Sequence, residues 1–201
     1  MSKKVKDFSF EKRATKYDKR VGKISGRFYR LLLEQVKLFP GARVLDAGCG
    51  TGTVLRRMAD VCEIDGYGID SEENMVAEAR KKCPDMSIQT SRCEATPFKN
   101  QYFDAITSCM AYHHFADRAG FAKEAARLLK PGSCLYIADP RLPFIIRKTL
   151  NGFFRTINVA GRFDTPQELF EHFSGYGFVP DGFVFNGYAQ VVTLKKALDI
   201  Y

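Results

Sequence analysis

The chain has 201 residues, a formal net charge of +8 and a hydrophobic content of 45%. This length is typical of one domain with a substantial core, so we expect a single domain over residues 1–201. No apolar run is long enough to span a membrane, and residues 1–8 lack the apolar segment of a secretory signal. The sequence therefore predicts a cytoplasmic protein rather than a secreted or membrane-spanning one.

The positive charge is concentrated near the N-terminus. Residues 1–43 hold thirteen Lys and Arg against four acids, which leaves a net charge of about −1 for the rest of the chain. A basic arm suits nucleic acid, an anionic membrane surface or an acidic substrate, although a solvated helical face has the same composition. The six cysteines form no C-x-x-C pair, so we expect reduced thiols rather than disulfides or a metal site.

A nucleotide-binding corner is predicted after an amphipathic helix over residues 23–38. A short apolar strand at residues 44–45 ends in Asp46, glycines occupy positions 48, 50 and 52, and a helical pattern begins at residue 54. Glycines at such a turn let the backbone pass close to a ligand, because no Cβ stands in the way.

Two details of this corner indicate its ligand. The dinucleotide fingerprint G-x-G-x-x-G needs its third glycine where the chain has Thr53, and here that glycine comes one residue early. Asp46 would repel a pyrophosphate but would attract an ammonium group. Both details favour an amino-acid nucleoside over NAD, so an oxidoreductase is the least favoured class of enzyme.

Residues 44–52 read Val-Leu-Asp-Ala-Gly-Cys-Gly-Thr-Gly, which resembles the first motif of the class I S-adenosylmethionine (SAM)-dependent methyltransferases. The resemblance spans essentially the whole chain and is to the small-molecule group that includes the ubiquinone and menaquinone methyltransferases. It implies an α/β fold, a Rossmann-like doubly wound seven-stranded sheet that is mostly parallel, with a C-terminal antiparallel hairpin and helices on both faces. It also implies SAM as the cofactor, bound by Asp46, Ala47, Gly48, Cys49, Gly50, Thr51 and Gly52.

A second predicted strand, over residues 64–70, ends in Asp70, 18 residues after the last glycine of the motif. Nucleotide-binding folds place a carboxylate for the ribose hydroxyls near this position, and the resemblance assigns this role to Asp70. Ser71 is predicted to be the N-cap of a helix over residues 72–82. The resemblance also places Ser71 and Met75 beside the cofactor, with Met75 near the adenine.

Adenine recognition departs from the family pattern. After a third strand predicted over residues 86–90, alignment on the Pro-Phe pair at 97–98 puts the usual adenine-binding acid at Arg92, which accepts no hydrogen bond. We therefore expect the backbone amide of Cys93, or the carboxylate of Glu94, to hold the adenine.

A fourth strand predicted over residues 103–109 leads to Tyr112, His113 and His114. Strand ends on this side of an open α/β sheet face the ligand crevice, so these three residues are the candidates for removing a proton from a methyl acceptor. The family often has histidine here without needing it for the chemistry. Adjacent histidines on a strand point to opposite sides and no third ligand is evident, so no metal is expected.

Two segments are expected to cover the site. Residues 1–40 are expected to form a lid and a helix, in which Tyr17 closes over the cofactor or lies on the surface. Residues 140–165 combine apolar side chains with five Lys and Arg, which is typical of the family's substrate cap, although a core-packing helix fits the same pattern. The latter segment suggests an apolar or anionic acceptor and allows contact with a membrane surface.

The C-terminal half is predicted to complete the sheet. We expect a helix over residues 120–130, a turn at 130–133, a strand over 134–139 and a hairpin between residues 179 and 195. Thr165 and Glu168 have the spacing of a capping box at the start of one more helix.

The sequence thus predicts transfer of a methyl group from SAM to the C-, O- or N-nucleophile of a small molecule, such as an apolar or quinone-like compound. Two alternatives stay open. The basic N-terminus is suited to an RNA or protein methyltransferase, and the missing adenine acid fits a regulatory protein that binds SAM without catalysis. No oligomeric state is predicted.

Overall fold

The computed structural model describes residues 25–157 and 160–198, and within them it contains six α-helices and seven strands. The helices are α1 (residues 25–35), α2 (Thr53–Ala59), α3 (Glu73–Lys82), α4 (Arg118–Leu128), α5 (Phe144–Thr156) and α6 (Pro166–Ser174). The strands are β1 (Ala42–Ala47), β2 (Ile64–Asp70), β3 (Ser87–Thr90), β4 (Phe103–Cys109), β5 (Leu129–Pro140), β6 (Phe178–Asn186) and β7 (Ala189–Lys196).

The strands form one sheet in the order β3-β2-β1-β4-β5-β7-β6. The first five strands of this order pair in parallel, and β7 pairs antiparallel with both β5 and β6. This arrangement confirms the predicted mostly parallel sheet with a C-terminal hairpin. The chain reverses its direction of winding between β1 and β4, and in open α/β sheets ligands bind at the carboxyl ends of the strands beside such a switch point.

Helices pack on both faces of the sheet, against the side chains that alternate along each strand, as predicted. On one face, Leu45 and Ile137 belong to a cluster that includes Phe121 of α4 and Phe173 of α6. On the other face, Val44 belongs to a cluster built with residues of α1 and α2. Both layers hold the carboxyl ends of β1 and β4 rigidly, which positions the loops that follow these strands.

The capping box of α6 is confirmed, because Thr165 Oγ1 accepts from the Glu168 amide and the Glu168 side chain accepts from the Thr165 amide. The predicted turn at residues 130–133 is wrong, since these residues lie inside β5. The pairing of β4 with β5 shifts register there, between Phe103 and Ala105, and so accommodates the Pro-Gly pair within the strand.

Helix α5 has no buried side chain, so the alternative of a core-packing helix at residues 140–165 is wrong.

No helix among the described residues is long and apolar enough to cross a membrane. All six cysteines are free thiols, and the described part of the chain holds no group of three or more metal-ligating side chains.

Candidate cofactor and acceptor site

A cavity of about 440 Å³ lies at the carboxyl ends of β1, β2 and β4, beside the switch point of the sheet. Many of the residues predicted from the sequence line it: Asp46, Gly48, Cys49, Gly50, Thr51, Asp70, Ser71, Met75, Cys93, Glu94 and His114. Four predicted residues, Ala47, Gly52, Tyr112 and His113, do not line it. Tyr17 lies outside the described residues.

The glycine loop after β1 is fastened to β2 by its backbone. The amides of Gly48 and Cys49 both donate to the carbonyl of Ile69, at 2.8 and 2.9 Å. Gly48 has a φ of +75°, and a Cβ at this position would lie 2.5 Å from the Cβ of Ala111. Only glycine fits here, because the loops after β1 and β4 approach each other so closely. At Gly50, by contrast, a Cβ would meet nothing within 4 Å, so that side of the loop is open.

Asp70 joins the glycine loop to the start of α3. Its Oδ2 accepts from the Gly50 amide and its Oδ1 from the Glu72 amide, both at 2.9 Å. The predicted N-cap role of Ser71 is wrong, since Glu72 is the N-cap and the carboxylate of Asp70 takes its amide instead. Each carboxylate oxygen has a further lone pair, so Asp70 retains the capacity to accept from the two hydroxyls of a ribose.

Asp46 is a buried carboxylate beneath the loop, 1% exposed. Its Oδ1 accepts from Thr107 Oγ1 at 2.7 Å, and no Lys or Arg of the described residues forms an ion pair with it. Burial raises the pKa of Asp46 to about 7, and the charge of Asp70 adds to the increase while the hydrogen bond from Thr107 opposes it. A buried carboxylate without a counter-charge among the described residues fits a cationic ligand, and SAM carries both an ammonium and a sulfonium.

A second polar group lies beside the cavity. Ser25, in α1, lines it together with Tyr29, and among the described residues the buried Oγ of Ser25 has no hydrogen-bond partner. Buried hydroxyls without a partner are rare in folded proteins, so a ligand group within reach would satisfy this one. The sequence predicted an amphipathic helix here, but the helical period alone does not show which of its polar residues faces a cavity.

At the far wall of the cavity, the segment after β3 contributes Ser91, Arg92, Cys93 and Glu94. The guanidinium of Arg92 forms an ion pair with the carboxylate of Glu94. Burial raises the pKa of the Cys93 thiol to about 12, so this side chain is a neutral thiol. Arg92 therefore neutralises the neighbouring acid, and the wall beside Cys93 is suited to the uncharged edge of a base.

We call the wall formed by Asp46, Gly48, Gly50 and Asp70 the cofactor end of the cavity. The acceptor end is formed by Met110, Ala111, His114 and Phe115, which follow β4. Met110, Ala111 and Phe115 were not among the residues predicted to form the site, because no motif or spacing in the sequence marks them.

The residues after β4 form a single turn of 3₁₀-helix, Tyr112–His114, rather than a strand. Residues of a 3₁₀ turn are about 120° apart, so only one of the three faces the cavity. His114 does so. Tyr112 is 1% exposed within the core, and burial raises its pKa above the ordinary value of a phenol. His113 is held away from the cavity by Asp139.

His113 and Asp139 are joined by two hydrogen bonds. The Nδ1 of His113 lies 2.7 Å from Asp139 Oδ1, and the His113 amide donates to Asp139 Oδ2 at 3.0 Å. The rings of His113 and His114 lie 4.0 Å apart. Burial lowers the pKa of His114, and the charge of His113 lowers it further while that of Asp139 opposes the decrease. His114 is therefore a neutral imidazole at pH 7, able to accept a proton.

Residues 45–137 match a family model described as a methyltransferase domain. The ubiquinone/menaquinone biosynthesis C-methyltransferase of Geotalea daltonii is 31% identical over 166 residues, which cover 77% of this chain and 68% of the relative. The demethylmenaquinone methyltransferase of Chlorobaculum parvum is 33% identical over 125 residues, 60% of this chain and 52% of the relative. The chain thus spans about half the length of the first curated relatives it matches.

Solved structures agree with the fold. A chain from the complex of the Haloferax volcanii Trm112 methyltransferase activator with a methyltransferase has a TM-score of 0.81 at 21% identity, covering 94% of this chain and 98% of that one. A SAM-dependent methyltransferase of Thermotoga maritima has a TM-score of 0.69 at 23% identity, covering 93% and 98%.

The chain belongs to the class I SAM-dependent methyltransferases, whose cofactor is SAM. Within that family it resembles the methyltransferases of ubiquinone and menaquinone biosynthesis.

Proposed function

We propose that the protein transfers the methyl group of SAM to a carbon, oxygen or nitrogen nucleophile of an apolar small molecule. The observation that carries this proposal is the continuity of one cavity from the cofactor end to His114 at the acceptor end. A nucleophile bound beside His114 would share one cavity with the methyl donor, which is the arrangement that a methyl transfer needs.

The cofactor end offers complementary groups for the cationic part, the ribose and the adenine of SAM. Asp46 supplies a buried negative charge for the cationic part, Asp70 accepts from the ribose hydroxyls, and the wall at Cys93 and Glu94 meets the adenine. Met75 lies on the same wall and adds an apolar contact. SAM supplies a methyl group on a sulfonium, which takes up the electron pair of the breaking S–C bond.

At the acceptor end, the residues of this chain orient the nucleophile and receive its proton. As the new bond to the methyl carbon forms, a neutral His114 accepts the proton that the acceptor releases. His113 takes no proton from the acceptor, because it does not reach the cavity. Its bond to Asp139 fixes the 3₁₀ turn and thereby the direction of the His114 ring.

The acceptor's apolar character is supported by α5. The ring of Phe163 stacks on His113 with centroids 5.0 Å apart, and Phe154 of α5 packs against Phe163. Helix α5 therefore stands beside the acceptor end, where it exposes Phe144, Ile145, Ile146 and Phe153. Its Lys148 and Arg155 are exposed too, which suits an acceptor with an anionic group or one delivered from an anionic membrane surface.

The test is to supply SAM labelled in its methyl group together with a series of acceptors. The series contains reduced naphthoquinones with prenyl chains of increasing length, RNA, protein, and fractions of a cell extract. We expect label in an apolar small molecule, and none when the Asp70→Ala variant replaces the wild type. Label in RNA or protein would establish the alternative methyltransferase. SAM that binds without any transfer of label would instead favour a regulatory protein.

A further inference from the structure

A lysine behind the cofactor end is connected to the cavity through two threonines. Lys82 is the last residue of α3 and does not line the cavity. Its ammonium donates to Thr53 Oγ1 at 2.6 Å and to Thr51 Oγ1 at 3.1 Å. Both threonines line the cavity at the point where the glycine loop runs into α2.

The chemistry of these contacts orients the threonine hydroxyls. An ammonium group has donors only, so both threonine oxygens act as acceptors towards Lys82. The two oxygens lie 3.2 Å apart, and one hydroxyl donates to the other. When Thr51 donates to Thr53, the proton of Thr53 is left for a ligand in the cavity, which Thr53 lines. Lys82 thereby polarises this hydroxyl as a donor.

The cavity needs such a donor for its ligand. Four carboxylates line its described wall, those of Asp46, Asp70, Glu72 and Glu94, while the single Lys or Arg there is Arg92, which forms an ion pair with Glu94. This lining suits the cationic groups of SAM but is unfavourable for its carboxylate. The positive charge of Lys82, just behind the wall, offsets this repulsion beside Thr51 and Thr53.

We propose that Lys82 is a specificity-determining residue that, through the hydroxyls of Thr51 and Thr53, makes the site selective for the carboxylate of SAM. The inference rests on SAM being the cofactor in the proposed function. Lys82 is a positioning residue, since it touches the threonines and acts on the ligand through them. The charge of Lys82 and the hydroxyl of Thr53 should therefore matter for a ligand that has the carboxylate and not for one that lacks it.

The test compares the dissociation constants of SAM and decarboxylated SAM, which keeps the ammonium, the sulfonium and the nucleoside but has no carboxylate. The full chain is titrated with each ligand by isothermal calorimetry. We expect Lys82→Met to raise the dissociation constant for SAM about tenfold and to change that for decarboxylated SAM less than about twofold. Thr53→Val removes the donor while keeping the shape, and should give the same pattern.

Two further variants serve as controls. Lys82→Arg keeps the charge and should restore most of the preference for SAM, whereas Lys81→Met removes a neighbouring charge that contacts Glu78 and should change neither constant. An equal loss of affinity for both ligands in Lys82→Met and in Thr53→Val would overturn the proposal, because it would show a purely structural role. Unchanged affinity for SAM in both variants would overturn it as well. The measurement uses the cofactor alone, so a failure to find a methyl acceptor would not affect its outcome.

Discussion

The two ends of the cavity are built in different ways. At the cofactor end, backbone groups and carboxylates bind one another, since Asp70 joins Gly50 to Glu72 and the Gly48 amide donates to the Ile69 carbonyl. At the acceptor end, one 3₁₀ turn contributes to the cavity wall, and the neighbouring helix α5 buries none of its side chains. A glycine without room for a Cβ and carboxylates that accept several hydrogen bonds tolerate few substitutions, whereas exposed side chains can change freely. This difference explains why the cofactor is shared across the family while the acceptor has to be found by experiment.

The largest expected effect is at the cofactor end. Asp70→Ala removes the acceptor for the Gly50 and Glu72 amides together with the proposed ribose contacts, so the dissociation constant for SAM should increase about a thousandfold. Calorimetric titration measures it. Asp65→Ala is the matched control, since Asp65 lies near the opposite end of β2, half-exposed, and contacts Tyr67 and Arg43. Similar losses in both variants would show that β2, rather than the carboxylate of Asp70, is what matters.

A substitution at the acceptor end should affect the rate of methyl transfer rather than the binding of SAM. His114→Gln removes the proposed base but keeps a polar side chain, so we expect kcat to fall about a hundredfold while the dissociation constant for SAM stays unchanged. Rates are measured at saturating SAM with the acceptor that the labelling experiment identifies. His172→Gln, in α6 and outside the cavity lining, should keep full activity. A His114→Gln variant with wild-type kcat would show that the acceptor needs no base from this residue.

The contrast between the two ends also explains which features the sequence could predict. The fold follows from apolar runs of strand length alternating with helical patterns, and each predicted strand was found within a few residues. The glycine loop and Asp70 could be predicted because their chemistry depends on fixed spacings along the chain.

Features set by tertiary contacts could not be predicted in this way. The direction of His113 depends on Asp139, 26 residues further along the chain, and the strand period assumed for residues 112–114 was therefore wrong. The position of Ser25 on the cavity wall depends on how α1 packs against the sheet, which the helical period of its sequence does not determine.

A third prediction concerns the charge at the cofactor end. The pKa of Asp46 is about 7 in the folded protein and about 3.9 in the unfolded chain, so between these values the folded state binds the additional proton. The stability of the ligand-free protein should therefore fall as the pH rises from about 4 to 7. Asp46→Asn abolishes this titration and should stabilise the ligand-free protein at pH 8 by roughly 2 kcal/mol, while weakening SAM binding about tenfold.

Urea unfolding at pH 5 and pH 8 measures the change in the free energy of unfolding, without ligand and with saturating SAM. Asp60→Asn is the control, because Asp60 is an exposed carboxylate that pairs with Arg56 at the end of α2. The explanation fails if Asp46→Asn loses as much stability between the two pH values as the wild type does. It also fails if SAM binds the variant as tightly as it binds the wild type.

The smallest effect is expected on α5, where the acceptor end is most open. Phe153 is 55% exposed, so Phe153→Ser should change the free energy of unfolding by less than about 0.5 kcal/mol. If α5 contacts an apolar acceptor, the same change should raise KM for that acceptor about threefold and leave SAM binding unchanged. Phe183→Ser provides the comparison, since Phe183 is 50% exposed but lies on the edge strand β6, against Phe170 of α6. An equal rise in KM in both variants would mean that exposed apolar surface in general, and not α5, attracts the acceptor. A rise in KM that grows with the length of the acceptor's apolar chain in Phe153→Ser, but not in Phe183→Ser, would place that chain along α5.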